Sequence, residues 1–200
     1  MSVSIFRPVS LICFLGLAAC GGGGGSSEEP PSFDELLTRF QALEAQAVPP
    51  SFNPTGFPTM GTSRFEGVMH FGSSMPSFSL WGEMHMTVDF GNSDAVTGGA
   101  RNFRNPSNVP VTGSLTMMPD QLFRNQSSTL TVNFEDTRLT EPGVTYDTEG
   151  LNFFGSFRGV SGEFFYATVL GDVIYDDTPA SINDGQTVSV SGEIAAEQVN

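Results

Sequence analysis

The chain has no lysine. Its eight basic residues are all arginine and stand against 22 acidic residues, for a net charge of −14. Nucleic-acid binding depends on clustered Lys and Arg that neutralise phosphates, so this composition excludes it. The same deficit excludes adhesion to anionic headgroups by charge, and leaves neutral, basic or cationic partners. Histidine is scarce too, with only His70 and His85. The two cysteines, Cys13 and Cys20, lie in the first twenty residues. The rest of the chain therefore has no disulfide and must hold itself by its core. No apolar run reaches the ~18 residues a membrane-spanning helix needs. No Gly-x-Ser-x-Gly elbow is present. The Gly21 to Gly25 run lacks the Lys-Ser/Thr of a phosphate loop. Nothing else suggests a catalytic constellation, and the expectation is a protein that is not an enzyme.

What is present begins with a leader. Arg7 precedes a largely apolar run, Val9 to Ala19, that ends in small residues. This is the layout of a signal peptide over 1–19. Its last residues, Leu17-Ala18-Ala19-Cys20, resemble the lipobox of bacterial lipoproteins. That resemblance implies acylation of Cys20, which becomes the first mature residue. The expected relation to the membrane is an anchor rather than a span. Gly21 after the Cys resembles lipoproteins sent on to the outer membrane, so the expected location is the outer membrane, at the cell surface. Residues 20–31 then read as a tether, with a Gly/Ser part closed by Pro30-Pro31.

Residues 32–61 read as one helix and a connector. Ser32 and Glu35 form a capping box. Phe33, Leu36, Leu37, Phe40 and Leu43 recur at helical spacing, and Pro49-Pro50 end the helix. Its apolar stripe is expected to dock over one end of the domain that follows. Residues 51–61, with Phe52, Pro54, Phe57 and Pro58, form an irregular connector.

From Thr62 the apolar period changes to two. Eight strands are expected, over 62–72, 79–91, 94–104, 109–118, 127–137, 149–158, 160–174 and 186–196. In the first, Phe65, Gly67, Met69 and Phe71 share a face opposite Arg64, Glu66 and His70. In the second, Leu80, Gly82, Met84, Met86, Val88 and Phe90 oppose Trp81, Glu83 and His85. Short turn signals separate the strands, among them Asn105-Pro106 and Glu141-Pro142-Gly143. Sequential antiparallel strands of this number close most simply into an up-and-down barrel. The expected fold is thus all-β: an eight-stranded antiparallel barrel over 62–200 behind one short amphipathic helix. The 18 Phe and eight Met supply the filling. Gly67, Gly82, Gly113 and Gly155 are expected to make room for rings opposite.

These strands carry a resemblance. Phe65-Glu66-Gly67 to Phe71-Gly72 is followed by Thr87-Val88-Asp89-Phe90 and Val96-Thr97-Gly98. Later come Asn152-Phe153-Phe154-Gly155-Ser156-Phe157 and Gly159-Val160-Ser161-Gly162-Glu163-Phe164. The order resembles the small lipoprotein barrels related to transferrin-binding protein B, factor H binding proteins and haemophilin-type haem scavengers. After Phe164 the chain lacks the Gly-Pro pair and the Glu of that family's late strand. The resemblance implies a surface binding protein that takes a host protein or an iron or haem source, with no catalytic residues to carry over.

Candidate sites follow from residue type. His70, Glu83 and His85 have zinc-ligand chemistry, but their spacing does not gather them, and no metal is expected. His70, His85 and Met75 are the possible axial ligands for haem. No cofactor is expected beyond that ligand reading. Asp172, Asp176, Asp177 and Asp184 are oxygen-rich but lack the order of a calcium loop. Recognition is expected on loops Ser73–Phe78, Arg101–Asn108 and Pro119–Gln126. Their aromatic and Arg residues, Arg101, Phe103, Arg104, Phe123 and Arg124, are the chemistry of binding hot spots. The expected function is a monomeric, lipid-anchored envelope binding module. An accessory outer-membrane lipoprotein without a soluble ligand is the alternative.

Overall fold

The computed structural model describes residues 29–47, 58, 60–91, 96–118, 129–177 and 185–199. The leader, Cys20, Phe123, Arg124 and Asp184 lie outside the described residues. The fold is an antiparallel sheet with one short helix. Helix α1 is Phe33–Ala47. The strands are β1 Thr62–Ser74, β2 Ser77–Asp89, β3 Val96–Arg104, β4 Pro110–Val111, β5 Leu115–Thr116, β6 Thr129–Asn133, β7 Thr137–Glu141, β8 Val144–Arg158, β9 Phe164–Asp177 and β10 Gln186–Val199.

Alternation places the core. Phe65, Met69 and Phe71 of β1 and Leu80, Met84, Met86 and Val88 of β2 are buried. They join Leu130, Val132, Phe153, Phe157, Phe165, Val169 and Ile194 in one interior cluster. Side chains from both halves of the sheet therefore fill the inside. Two of the four expected glycine positions face rings. A Cβ on Gly82 would lie 2.7 Å from the Phe103 ring, and one on Gly155 would lie 2.6 Å from Cζ of Phe165. Gly67 and Gly113 instead face neighbouring strand backbone, at Ala195 and Arg138.

Hydrogen-bonded neighbours run β4-β3-β2-β1-β10-β9-β8-β6, with β5 on β3 and β7 on β8. β8 is long enough to hold β7 along Val144–Thr148 and β6 along Asn152–Ser156. β6 and β7 thus form one broken stave, as do β4 and β5. Eight staves result, two of them interrupted. The ladder does not close between the broken pair. Among the described residues the seam is crossed by the bridges Thr112–Thr140 and Met117–Phe134 and the backbone hydrogen bonds around them. This is a loose barrel rather than the continuous closed one expected, because the short strands supply few paired backbone groups there. The expected strand at 109–118 shrinks to two pairs of residues. The one at 160–174 begins only at Phe164, and β7 with the start of β8 was not foreseen.

Helix α1 starts as its capping box dictates. The Ser32 backbone N–H donates to Oε2 of Glu35 at 2.7 Å, and the Glu35 N–H donates to Oγ of Ser32 at 3.3 Å. Leu36, Phe40, Leu43 and Ala47 form the buried stripe. The helix does not cap an end of the barrel as expected. It lies along the outer face, against Val68 of β1, Ala195 of β10, Trp81 and Tyr166. Val68 and Ala195 point outward, and small or apolar outward residues create a dry strip that the helix covers.

Candidate functional site

The strands turn at two ends. One end holds the β1–β2 turn Met75-Pro76, the β3–β4 turn 105–109, the β7–β8 turn Pro142-Gly143 and the end of β9. The other holds the start of β1, the β8–β9 turn 159–163 and the end of β10.

The first end is where the N-terminal segment attaches. Arg104, the last residue of β3, donates from Nε to the Pro31 carbonyl at 3.1 Å, and from Nη2 to the Pro30 carbonyl at 3.3 Å. Its Nη1 donates to the Asn108 carbonyl at 3.3 Å. Asn108 closes the contact by accepting the Phe33 N–H on Oδ1 at 2.8 Å. Asn108 itself is left-handed, with φ 62°, a conformation Asn adopts readily. One planar guanidinium thus joins the turn to two consecutive carbonyls of the arriving chain, which suits the fixed fork of Arg. We call this the strap, and the end that carries it the strap end.

Beside the strap lies an open cleft of about 640 Å³, lined by Glu29, Pro30, Pro31, Glu35, Glu83, Arg101 and Asn102. A bulge shapes it. The β2–β3 register shifts between Trp81 and Glu83. Asn102 takes φ 56° there and donates Nδ2 to Oε2 of Glu83 at 2.5 Å. Glu35 is held ionised below its usual range by the Ser32 N–H, then by the Ser32 hydroxyl. Arg101 is exposed across the register from Glu83. The lining has carboxylates, a guanidinium and an amide, groups that can bind polar ligands.

The bulge also corrects the expected recognition set. An unbroken alternation would send Phe103 outward. The extra residue flips it, and Phe103 is 1% exposed in the core, 6.1 Å from the Phe71 ring. It is a packing residue and has no surface to offer a ligand. Arg104 is engaged by the strap. Arg101 alone of the three described candidates is free at the surface. The strap residues Pro30, Pro31 and Asn108 were missed. Their sequence signal is an Arg just before an Asn-rich turn, which reads as an ordinary loop.

The histidines do not converge. His70 stacks on Trp81 at 4.3 Å and 13°, with the Phe40 ring edge-on at 5.0 Å. Its Nε2 is 3.6 Å from Oε2 of Glu193, whose Oε1 accepts the Tyr166 hydroxyl at 2.5 Å. Burial lowers the His70 pKa, and Glu193 opposes that shift. His85 sits opposite Glu66, farther along the hairpin. Its pKa is lowered by burial and then by Arg101 and Arg64. Among the described residues no group of three or more His, Cys, Asp or Glu gathers for a metal. Met75, the other haem candidate, is 77% exposed at the β1–β2 turn, away from the covered His70. Asp172 accepts the Ser189 hydroxyl at 2.8 Å. With Asp176 it lies on the outward face of β9.

A scan against protein-family models found no match, and a search of curated proteins found none either.

Proposed function

We propose that this chain is an outer-membrane lipoprotein, anchored through an acylated Cys20, whose barrel presents an exterior surface to a protein partner at the cell envelope. The observation that carries the reading is that, among the described residues, side chains pack the interior. Phe, Met, Val and Leu from both halves of the sheet occupy it in one cluster, so the reading puts recognition outside. Leader, lipobox-like Leu17-Ala18-Ala19-Cys20 and Gly/Ser tether supply the anchor. The arrangement fits the small lipoprotein barrels that the strand motifs resemble. A protein partner suits it better than haem, since His70 lies beneath α1 between Phe40 and Trp81.

Protease treatment of intact cells tests display. Loss of the barrel with periplasmic markers intact is the expected result. Full protection until the outer membrane is opened would contradict surface display and favour the accessory reading.

A further inference from the structure

We infer that the strap end faces a phospholipid surface, so that the opposite end and the flanks are what a protein partner meets. This rests on the anchoring of Cys20 proposed above. Two separate observations carry it.

The first is the path of the chain. Pro30 and Pro31 are held by Arg104 at the β3–β4 turn, and Phe33 by Asn108 in the same turn. From Cys20 to Pro30 are ten residue steps, which reach at most ~35 Å. A Gly/Ser-rich chain of that length averages about 17 Å end to end. Strands of 13 to 15 residues, tilted as barrel strands are, make the body about 33 Å long. The lipid therefore stays close to the strap end, and the opposite end stands about a barrel length farther out.

The second is the chemistry of the turns. In a chain with 22 acidic residues, three turns at the strap end carry no charge at all. They are Ser73 to Phe78, Asn105 to Val109, and Pro142 to Val144. Met75 stands 77% exposed at the tip of the first. Uncharged tips meet an anionic headgroup layer without repulsion. Acidic groups do occur at this end, at Glu29, Glu35 and Glu83 around the cleft and at Glu141, Asp176 and Asp177. The Glu141 carboxylate is already taken by the Tyr146 hydroxyl at 2.5 Å and the Asn105 amide at 2.6 Å. At the opposite end the β8–β9 turn carries Glu163, whose carboxylate accepts the Val160 and Ser161 N–H groups. Arg158 stands beside it, as Arg104 and Glu141 stand beside the strap-end turns. Arg104, held in the strap, then lies near the membrane and is not a partner contact.

The test uses full-length acylated protein in vesicles of phosphatidylethanolamine and phosphatidylglycerol with acceptor-labelled headgroups. Acylation consumes the Cys20 thiol, so one introduced cysteine takes one donor dye. Ser107→Cys reports the strap end and Val160→Cys the opposite end; both positions are exposed. Several-fold stronger energy transfer at 107 is expected, with slower reaction of its thiol toward a bulky maleimide. Equal or stronger transfer at 160 on acylated protein would overturn the orientation alone. A mass lacking the lipid would overturn the anchor, and the orientation with it.

Discussion

Phe103 and His70 show how one residue's surroundings decide its role. Phe103 fills the space that Gly82 leaves open. Phe103→Ala is expected to cost about 3–5 kcal/mol, as for other large-to-small core changes, measured by urea unfolding. A loss below about 1 kcal/mol would contradict its core role. His70 should confer a pH dependence. Its folded pKa lies below the 6.5 of the free side chain, so the unfolded chain takes up the proton first. The stability it contributes is complete above pH 6.5 and is lost as pH falls below that value. The wild type should therefore lose more stability than His70→Gln between pH 7 and 5. An equal loss would show that burial under the helix does not hold the imidazole neutral. Alternation and the hairpin put His70 beside Trp81 or Glu83, and the register sets it opposite Trp81. Phe40 and Glu193, its other neighbours, were not legible. Nothing local announced the Asn102 bulge, and a one-residue slip exchanges the two faces of a strand. That is why Phe103 reads as a loop anchor in the sequence and packs as core.

At the scale of elements, α1 has a built-in reporter. Trp81 is the sole tryptophan, and it meets the rings of Phe33 at 5.7 Å, Phe40 at 5.6 Å and His70 at 4.3 Å. Phe40→Ala should loosen the helix and shift Trp81 emission to the red while the far-ultraviolet β signal stays. Unchanged emission would place the helix elsewhere. Ser32→Ala removes the cap and should cost about 1 kcal/mol, read in the same emission transition. An unaltered midpoint would contradict the cap. Both ends of this helix were written in local signals, the capping box and Pro49-Pro50. Its docking site was not, because it depends on which outward strand positions are small, Val68 and Ala195 among them. The long strands β1, β2 and β10 were legible for the matching reason: each alternates over many residues. β7 has a single buried residue, Leu139, too little for a period to appear. The seam strands β4 and β5 have one each.

For the whole molecule, the proposed reading is a lipid-held barrel whose packed interior leaves binding to its outside. The strap bears on both halves, because it fixes where Pro30 and Pro31 meet the barrel. Arg104→Ala should leave the barrel folded and open the chain near Pro30 and Pro31 to proteolysis; resistance equal to wild type would mean the strap holds nothing. Composition pointed to the class of partner only by exclusion, through the missing lysines and the charge of −14. Which face meets a partner was not legible, since turn tips such as Met75 and Ser107 acquire a common end only once the strands are paired.

The most direct measurement is the intact mass of the protein extracted from membranes of cells that express the full chain. The expected mass is that of a chain that begins at Cys20 and carries a diacylglyceryl group and an amide-linked acyl chain. A mass matching an unmodified chain, or one cleaved at another residue, would contradict it.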